Sequence, residues 1–169
     1  YDATRISLLD RLMPQELSIN QQLRAAAVRE RWQQMRLSKF NNAHESPAPS
    51  QPFVLVVDQT SGDLSLAWGK AQVAEFKAAL QAALHEHPGK RVVVKVHPDV
   101  VSGHKHGHFT AEMLKDQRIQ LSSDGGHPTA LLEQAEAVYV VTSQLGFEAL
   151  LWGKTVYCFG QPFYSGWGL

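Results

Sequence analysis

The sequence predicts a parallel α/β sheet of the Rossmann-like, doubly wound kind. Three observations predict it. Short runs rich in Val and other apolar residues recur at 53–57, 91–96 and 137–141. The first of these runs is continuous rather than alternating, as in strands covered on both faces. Segments with apolar residues at helical spacing lie between the runs. In such sheets ligands bind beyond the carboxyl ends of the strands, so the residues that follow each run are the first to inspect.

Taken in order, residues 1–40 read as a helical lead-in. Leu8, Leu9 and Leu12 cluster before Pro14. Ser18 caps a helix that continues to about Leu37, with Ile19, Leu23, Ala26, Ala27 and Trp32 on one face. Arg24, Arg29, Arg31 and Arg36 make this helix basic, either as a solvated face or as a contact for an acidic membrane. Residues 41–52 contain Asn41-Asn42, Pro47, Pro49 and Pro52 and read as a linker.

The body, 53–169, is expected to be an incomplete nucleotide-sugar-binding α/β domain. Its first strand is 53–57. A helix follows over 72–85, with Val73, Phe76, Leu80 and Leu84 on one face. A β-branched strand covers 91–96, a His- and Gly-rich loop 102–109, and a short strand 118–121. The pattern ends with a helix at 128–135, a strand at 137–141, a helix at 147–152 and a strand at 155–159.

Composition narrows the function. Lys plus Arg number 16 and Asp plus Glu number 16, so nothing marks the chain for nucleic acid. Cys158 is the single cysteine, so no disulfide forms within the chain, which fits a reducing compartment. It reads as a small core residue. No apolar run approaches the roughly 20 residues of a membrane span. The opening residues do not resemble a signal peptide, and the chain lacks an initiator Met; it reads as part of a longer protein.

The strand ends carry the candidate chemistry. Asp58, Gln59 and Asp63 follow the first strand, Lys95 and His97-Pro98 close the second, and Thr142-Ser143 follows the fourth. Asp58 or Asp63 suits a nucleophile or general base at an anomeric carbon, or else caps a turn. His97, held by Pro98, can donate to a phosphate oxygen, and Lys95 reaches the same charge or faces solvent. Ser143 with Gly146 suits a phosphate, and Glu148 a ribose, the alternative being helix capping and a dipole partner. His104, His106 and His108 alternate, but no carboxylate or Cys pattern accompanies them; a polar lid is expected rather than a metal site.

Several segments together resemble a known family. They are Tyr1-Asp2-Ala3-Thr4-Arg5, Val56-Val57-Asp58-Gln59-Thr60-Ser61-Gly62-Asp63, Val94-Lys95-Val96-His97-Pro98-Asp99, Leu131-Leu132-Glu133, 141–150 and 158–169. They look like the bacterial capsule polysaccharide biosynthesis proteins of the KpsC/LipB type. Ile6 stands where that family's opening motif has proline, and the His-rich loop departs from its usual Lys/Arg-Gly-Tyr sequence.

The resemblance implies part of a GT-B-like module of a retaining β-Kdo glycosyltransferase. Its donor would be CMP-Kdo, with no other cofactor and no metal. Its acceptor would be a lipid-linked glycan of the lysophosphatidylglycerol-Kdo type. By the same resemblance Asp63 engages the anomeric carbon, with Asp58 as runner-up. His97 and Ser143 contact the phosphate, with Lys95 and Thr142 beside them. Glu148 holds the ribose or cytidine, and Gln59 and Arg5 have lesser roles. The expected location is cytoplasmic, peripheral to the inner face of the cytoplasmic membrane. The alternatives are a non-catalytic nucleotide-binding module and a different CMP- or UDP-sugar transferase.

Overall fold

A computed structural model of the chain describes residues 5–39 and 41–166. Five strands form one parallel sheet: β1 (Phe53–Val57), β2 (Arg91–Lys95), β3 (Ile119–Ser122), β4 (Ala137–Val140) and β5 (Thr155–Cys158), in the order β3-β2-β1-β4-β5. Strand β1 lies at the centre, pairing with β2 from Phe53↔Arg91 to Val57↔Lys95 and with β4 at Leu55↔Val138. From β1 the chain winds outward to β2 and β3, then returns to β4 on the other side. The order therefore reverses between β1 and β4, and a crevice is expected there.

Alternation within the strands builds two cores. Phe53, Leu55, Val57, Val93, Val138 and Val140 face one side, with Leu131 and Leu132 of α6 (Thr129–Gln134) and Ala149 of α7 (Leu145–Leu151). Val54, Val56, Val92, Val94 and Tyr139 face the other, under Ala79, Leu80 and Ala83 of α4 (Ala74–Glu86). All five residues of β1 are buried, because helices cover both faces of its sheet. The strands fall within a residue of their expected bounds. Two short helices were not legible: α3 (Leu64–Trp68), capped by Asp63, and α5 (Pro98–Val101), capped by His97.

The lead-in holds α1 (Leu8–Leu12) and α2 (Ile19–Gln34). Ser18 and Gln21 form a reciprocal capping box at the start of α2. The helix ends before the expected Leu37, with Arg36 in a left-handed conformation (φ 50°). The apolar face expected of it does not enter a core: no residue of α2 is buried, and Ile19 and Leu23 are 75% and 64% exposed. Its C-terminal end meets the body. The Gln33 amide donates to the Leu151 carbonyl (2.6 Å), and Arg36 pairs with Glu45 and Glu133 while lying over the Trp152 ring.

The expected linker is packed, not a free tether. Ser46 is fully buried, Glu45 bridges to His127, and the Ser46 N–H donates to the His127 carbonyl (2.9 Å). Its main anchor is electrostatic. The Lys95 ammonium donates to the Ser46 hydroxyl oxygen (2.8 Å) and lies 3.5 Å from Asp124, whose other oxygen is 3.2 Å from His44. The Ser46 hydroxyl in turn donates to Asp124 (2.8 Å).

Burial pushes the Asp124 carboxyl up, but the Ser46 hydroxyl, the Lys95 charge and the Gly126 N–H outweigh it and hold it down at about 2. A carboxyl with a depressed folded pKa stabilises the fold fully above its unfolded value of about 3.9, and that contribution is lost as pH falls through about 2. Asp124→Asn should therefore unfold at a lower temperature than the wild type near neutral pH, with the gap closing towards about pH 2. Thermal unfolding followed by circular dichroism across that range measures it; a gap that does not change with pH contradicts the assignment.

Candidate active site

The site begins with one carboxamide. Gln59 follows β1 and is almost fully buried. Its oxygen accepts the Thr142 N–H (2.9 Å), and its NH2 lies 3.0 Å from the Thr142 hydroxyl, 3.2 Å from the Ser65 hydroxyl and 3.4 Å from Asp63. The loops after β1 and β4 are thus tied across the reversal point. Thr142 is confined as well: a Cβ added at Gly69 or Gly160 would strike its methyl group, which explains glycine at both positions. Around this junction lies a cleft of about 320 Å³, within the usual range for small-molecule sites. Its lining includes Asp58, Gln59, Asp63, Lys95, His97, Thr142, Ser143 and Glu148.

The two aspartates differ in their surroundings. Asp63 caps α3, accepting the Ser65 N–H (2.9 Å) on one oxygen while Gln59 approaches the other. Burial raises its carboxyl, yet the Ser65 N–H and hydroxyl, the Gln59 amide and the charge of Lys39 outweigh burial and leave it below the usual range. Asp63 is therefore ionised near neutrality. Asp58 is 4% exposed, and burial pushes its carboxyl above the usual range despite the N–H groups of His108 and Gln59. Those N–H groups, at 3.0 and 2.9 Å, share one Asp58 oxygen, and Gly107 packs against the other. Asp58 therefore secures the His-rich loop, which is further held by the Ser61 N–H donating to the His106 carbonyl (2.7 Å). The histidines of that loop do not share a side: His108 is buried, stacked on Phe76 at 4.0 Å, while His104 is exposed and bonded to Ser102.

His97 caps α5 through its ring, Nδ1 accepting the Asp99 N–H (3.1 Å). That bond assigns the ring proton to Nε2. Burial lowers the imidazole's pKa and, with Lys39 and Lys105, outweighs Asp99 and Asp58. The ring is accordingly neutral, with one N–H donor. Lys95 lines the cleft wall, but its ammonium is directed to Ser46 and Asp124; burial lowers its pKa despite Asp124.

Ser143 opens the turn into α7. Its hydroxyl accepts the Leu145 N–H (3.2 Å), and its carbonyl accepts the Tyr164 hydroxyl. Tyr164 packs where a Cβ on Gly146 would sit, so the small residue expected for phosphate approach also admits this ring. Glu148 is 2% exposed and accepts the Ser38 hydroxyl (2.8 Å) and the Lys39 N–H (3.2 Å). Burial raises its carboxyl despite these bonds and the Lys39 charge. Sequence reasoning missed Ser65, Ser38 and Lys39. Ser65 carries a local signal, lying two residues after a capping Asp; the other two reach the cleft only through tertiary packing. Arg5, exposed in the lead-in, is not among the described lining residues.

A parallel α/β sheet with a polar, carboxylate-bearing cleft at its reversal point defines an α/β domain of the doubly wound class, with the cleft where ligands bind in such sheets. Comparison with known proteins is more specific: residues 11–169 match the family described as capsule polysaccharide biosynthesis protein, and the chain belongs to that family.

Its relatives include the capsule polysaccharide modification protein LipA of Neisseria meningitidis serogroup B, 40% identical over the whole chain and 25% of LipA. The lipopolysaccharide-processing protein LpsZ of Rhizobium meliloti is 37% identical over 79% of the chain and 31% of LpsZ. Among solved structures, the beta Kdo 2,4 transferase of Thermosulfurimonas dismutans KpsC superposes with a TM-score of 0.88 at 38% identity, over 99% of this chain and 54% of that one. The beta Kdo 2,7 transferase of the same KpsC gives 0.69 at 28% identity, over 99% and 50%. The chain thus spans about a quarter of LipA and about half of each transferase structure.

Glu148 supports the turn at 38–39 through acceptor geometry more than through charge. Glu148→Gln retains an oxygen for the Lys39 N–H and directs its NH2 to the Ser38 oxygen. Glu148→Ala strands both donors and should cost about 1–3 kcal/mol, whereas Glu148→Gln should stay within about 1 kcal/mol of the wild type. Denaturant unfolding measures both; equal losses contradict this account.

Proposed function

We propose that this chain is the donor-binding part of a retaining β-Kdo transferase. It would use CMP-Kdo and extend a lipid-linked Kdo acceptor during assembly of the capsular polysaccharide linker. The observation that carries the reading is the convergence of Asp63, His97, Ser143 and Glu148 on one cleft at the β1/β4 reversal. The 38% identity to a beta Kdo 2,4 transferase supports it. Likeness to that transferase exceeds likeness to the 2,7 transferase in both fold and identity, which favours a 2,4-type linkage.

Each group has a role by its chemistry. The neutral His97 donates from Nε2 to the donor phosphate, and Ser143 adds a hydroxyl and turn N–H groups. Glu148 keeps lone pairs for a ribose hydroxyl beyond those used by Ser38 and Lys39. The ionised Asp63 attacks the anomeric carbon as the bond to the CMP oxygen breaks, and CMP leaves with the electron pair. An acceptor hydroxyl then displaces Asp63, its proton passing to solvent as the carboxylate is restored. Two inversions retain configuration. Gln59 orients Asp63; Asp58 holds the loop beside it. No helix among the described residues is long and apolar enough to cross a membrane. A lipid-linked acceptor would place the enzyme against the inner face of the cytoplasmic membrane, and the exposed arginines of α2 suit an anionic surface.

Two measurements test the reading. Calorimetric titration of the intact protein should show CMP binding, weakened about tenfold or more in His97→Ala and Ser143→Ala through loss of hydrogen bonds to a charged group. Absence of CMP binding by folded wild type removes the donor assignment. Asp63→Ala should lose Kdo transfer by a factor of roughly 10³ or more while still binding CMP. Retained transfer excludes Asp63 as nucleophile.

A further inference from the structure

Resting on the reading of Asp63 as nucleophile, we propose that Ser65 is a positioning residue for the transfer, its hydroxyl holding the Asp63 carboxylate in the attacking orientation. Asp63 accepts the Ser65 N–H on one oxygen (2.9 Å), and the Gln59 NH2 lies 3.4 Å from the other. A single short bond leaves a carboxylate free to swing about it, so further donors must set its plane. The polar side chains beside it supply them. Gln59, Ser65 and Thr142 form a closed triangle in the cleft wall. The Gln59 NH2 is 3.0 Å from the Thr142 hydroxyl and 3.2 Å from the Ser65 hydroxyl, and the two hydroxyls are 2.9 Å apart.

Counting hydrogens gives the triangle a direction. The Thr142 N–H donates to the Gln59 oxygen (2.9 Å), which turns the Gln59 NH2 towards the two hydroxyls. The Thr142 hydroxyl is fixed by its own methyl group, caged where a Cβ on Gly69 or Gly160 would strike it. Thr142 takes a Gln59 hydrogen and gives its own to Ser65 at 2.9 Å; the Gln59 oxygen, at 3.4 Å and already bonded to the N–H, is the poorer acceptor. The Ser65 hydroxyl hydrogen is then left for Asp63. Burial raises the Asp63 carboxyl, and the Ser65 N–H and hydroxyl come first among the groups that outweigh it. Gln59 and Thr142 are buried, so the chain runs from a dry anchor to the nucleophile, each bond polarising the next. Ser65 transfers no proton: the bond from Asp63 to the anomeric carbon forms as the bond to the CMP oxygen breaks, and the hydroxyl remains a donor.

The test follows Kdo transfer by the intact protein with Ser65→Ala, Ser65→Thr, Thr142→Val and the double variant Ser65→Ala/Thr142→Val. Ser65→Ala should lower kcat about tenfold, the loss of a hydrogen bond to a charged group. KM for CMP-Kdo and calorimetric CMP affinity should stay within about twofold of the wild type, because the bond serves the attack rather than binding. Ser65→Thr keeps a hydroxyl and should recover most of the loss. Thr142→Val keeps the caged methyl, removes the hydroxyl and should lower kcat by a smaller factor. Because the two hydroxyls act in one chain, the double variant should lose no more than Ser65→Ala alone. Wild-type kcat in Ser65→Ala overturns the proposal and leaves the CMP-Kdo reading standing. An equal loss of CMP affinity, no recovery in Ser65→Thr, or losses that add in the double variant do the same. Retained transfer in Asp63→Ala overturns the proposal together with the nucleophile assignment.

Discussion

The structure depends on the Gln59 carboxamide. A doubly wound sheet opens a crevice where strand order reverses, and two loops that share no backbone ladder must be held in register there. Gln59 supplies that register by accepting from the Thr142 backbone and donating to the Thr142 hydroxyl. The same NH2 reaches Ser65 and Asp63, so the orientation of one side chain sets the distance between β1's loop, the start of α3 and the end of β4. Because Gln59 is buried, these bonds form in a medium that penalises any alternative arrangement.

Around that junction the protein separates carboxylates by environment. Asp58 and Asp63 lie five residues apart on one loop, yet burial dominates the first and hydrogen-bond donors dominate the second. Asp58 holds the backbone of the His-rich loop, with its carboxyl above the usual range, and Asp63 caps α3, with its carboxyl below that range. Environment thus separates the titration of two like groups on one loop. Lys95 fastens the 41–52 segment.

The cleft is also assembled from outside the sheet. Ser38 and Lys39 come from beyond α2, and their bonds to Glu148 hold them in the cleft wall. The rest of α2 extends away with its apolar residues exposed. The chain covers about half of each KpsC transferase structure it superposes on.

The sequence by itself determined the fold class, the strands, and the group of residues at their carboxyl ends. Those features follow from local periodicity and from the continuous apolar runs that two-sided burial demands. The placing of Asp63, His97 and Ser143 at the cleft was legible for the same reason, since each follows a strand within a few residues. Only the tertiary structure decided what each polar group faces. Lys95 turns to Ser46 and Asp124, Asp58 to the 107–108 backbone, and Glu148 to Ser38 and Lys39, through contacts between residues 29 to 110 positions apart. The packed state of 41–52 and the exposure of α2 were hidden likewise. Local propensity reports which face of an element is apolar; burial and hydrogen-bond partners are set by what that face meets, and distant segments supply it.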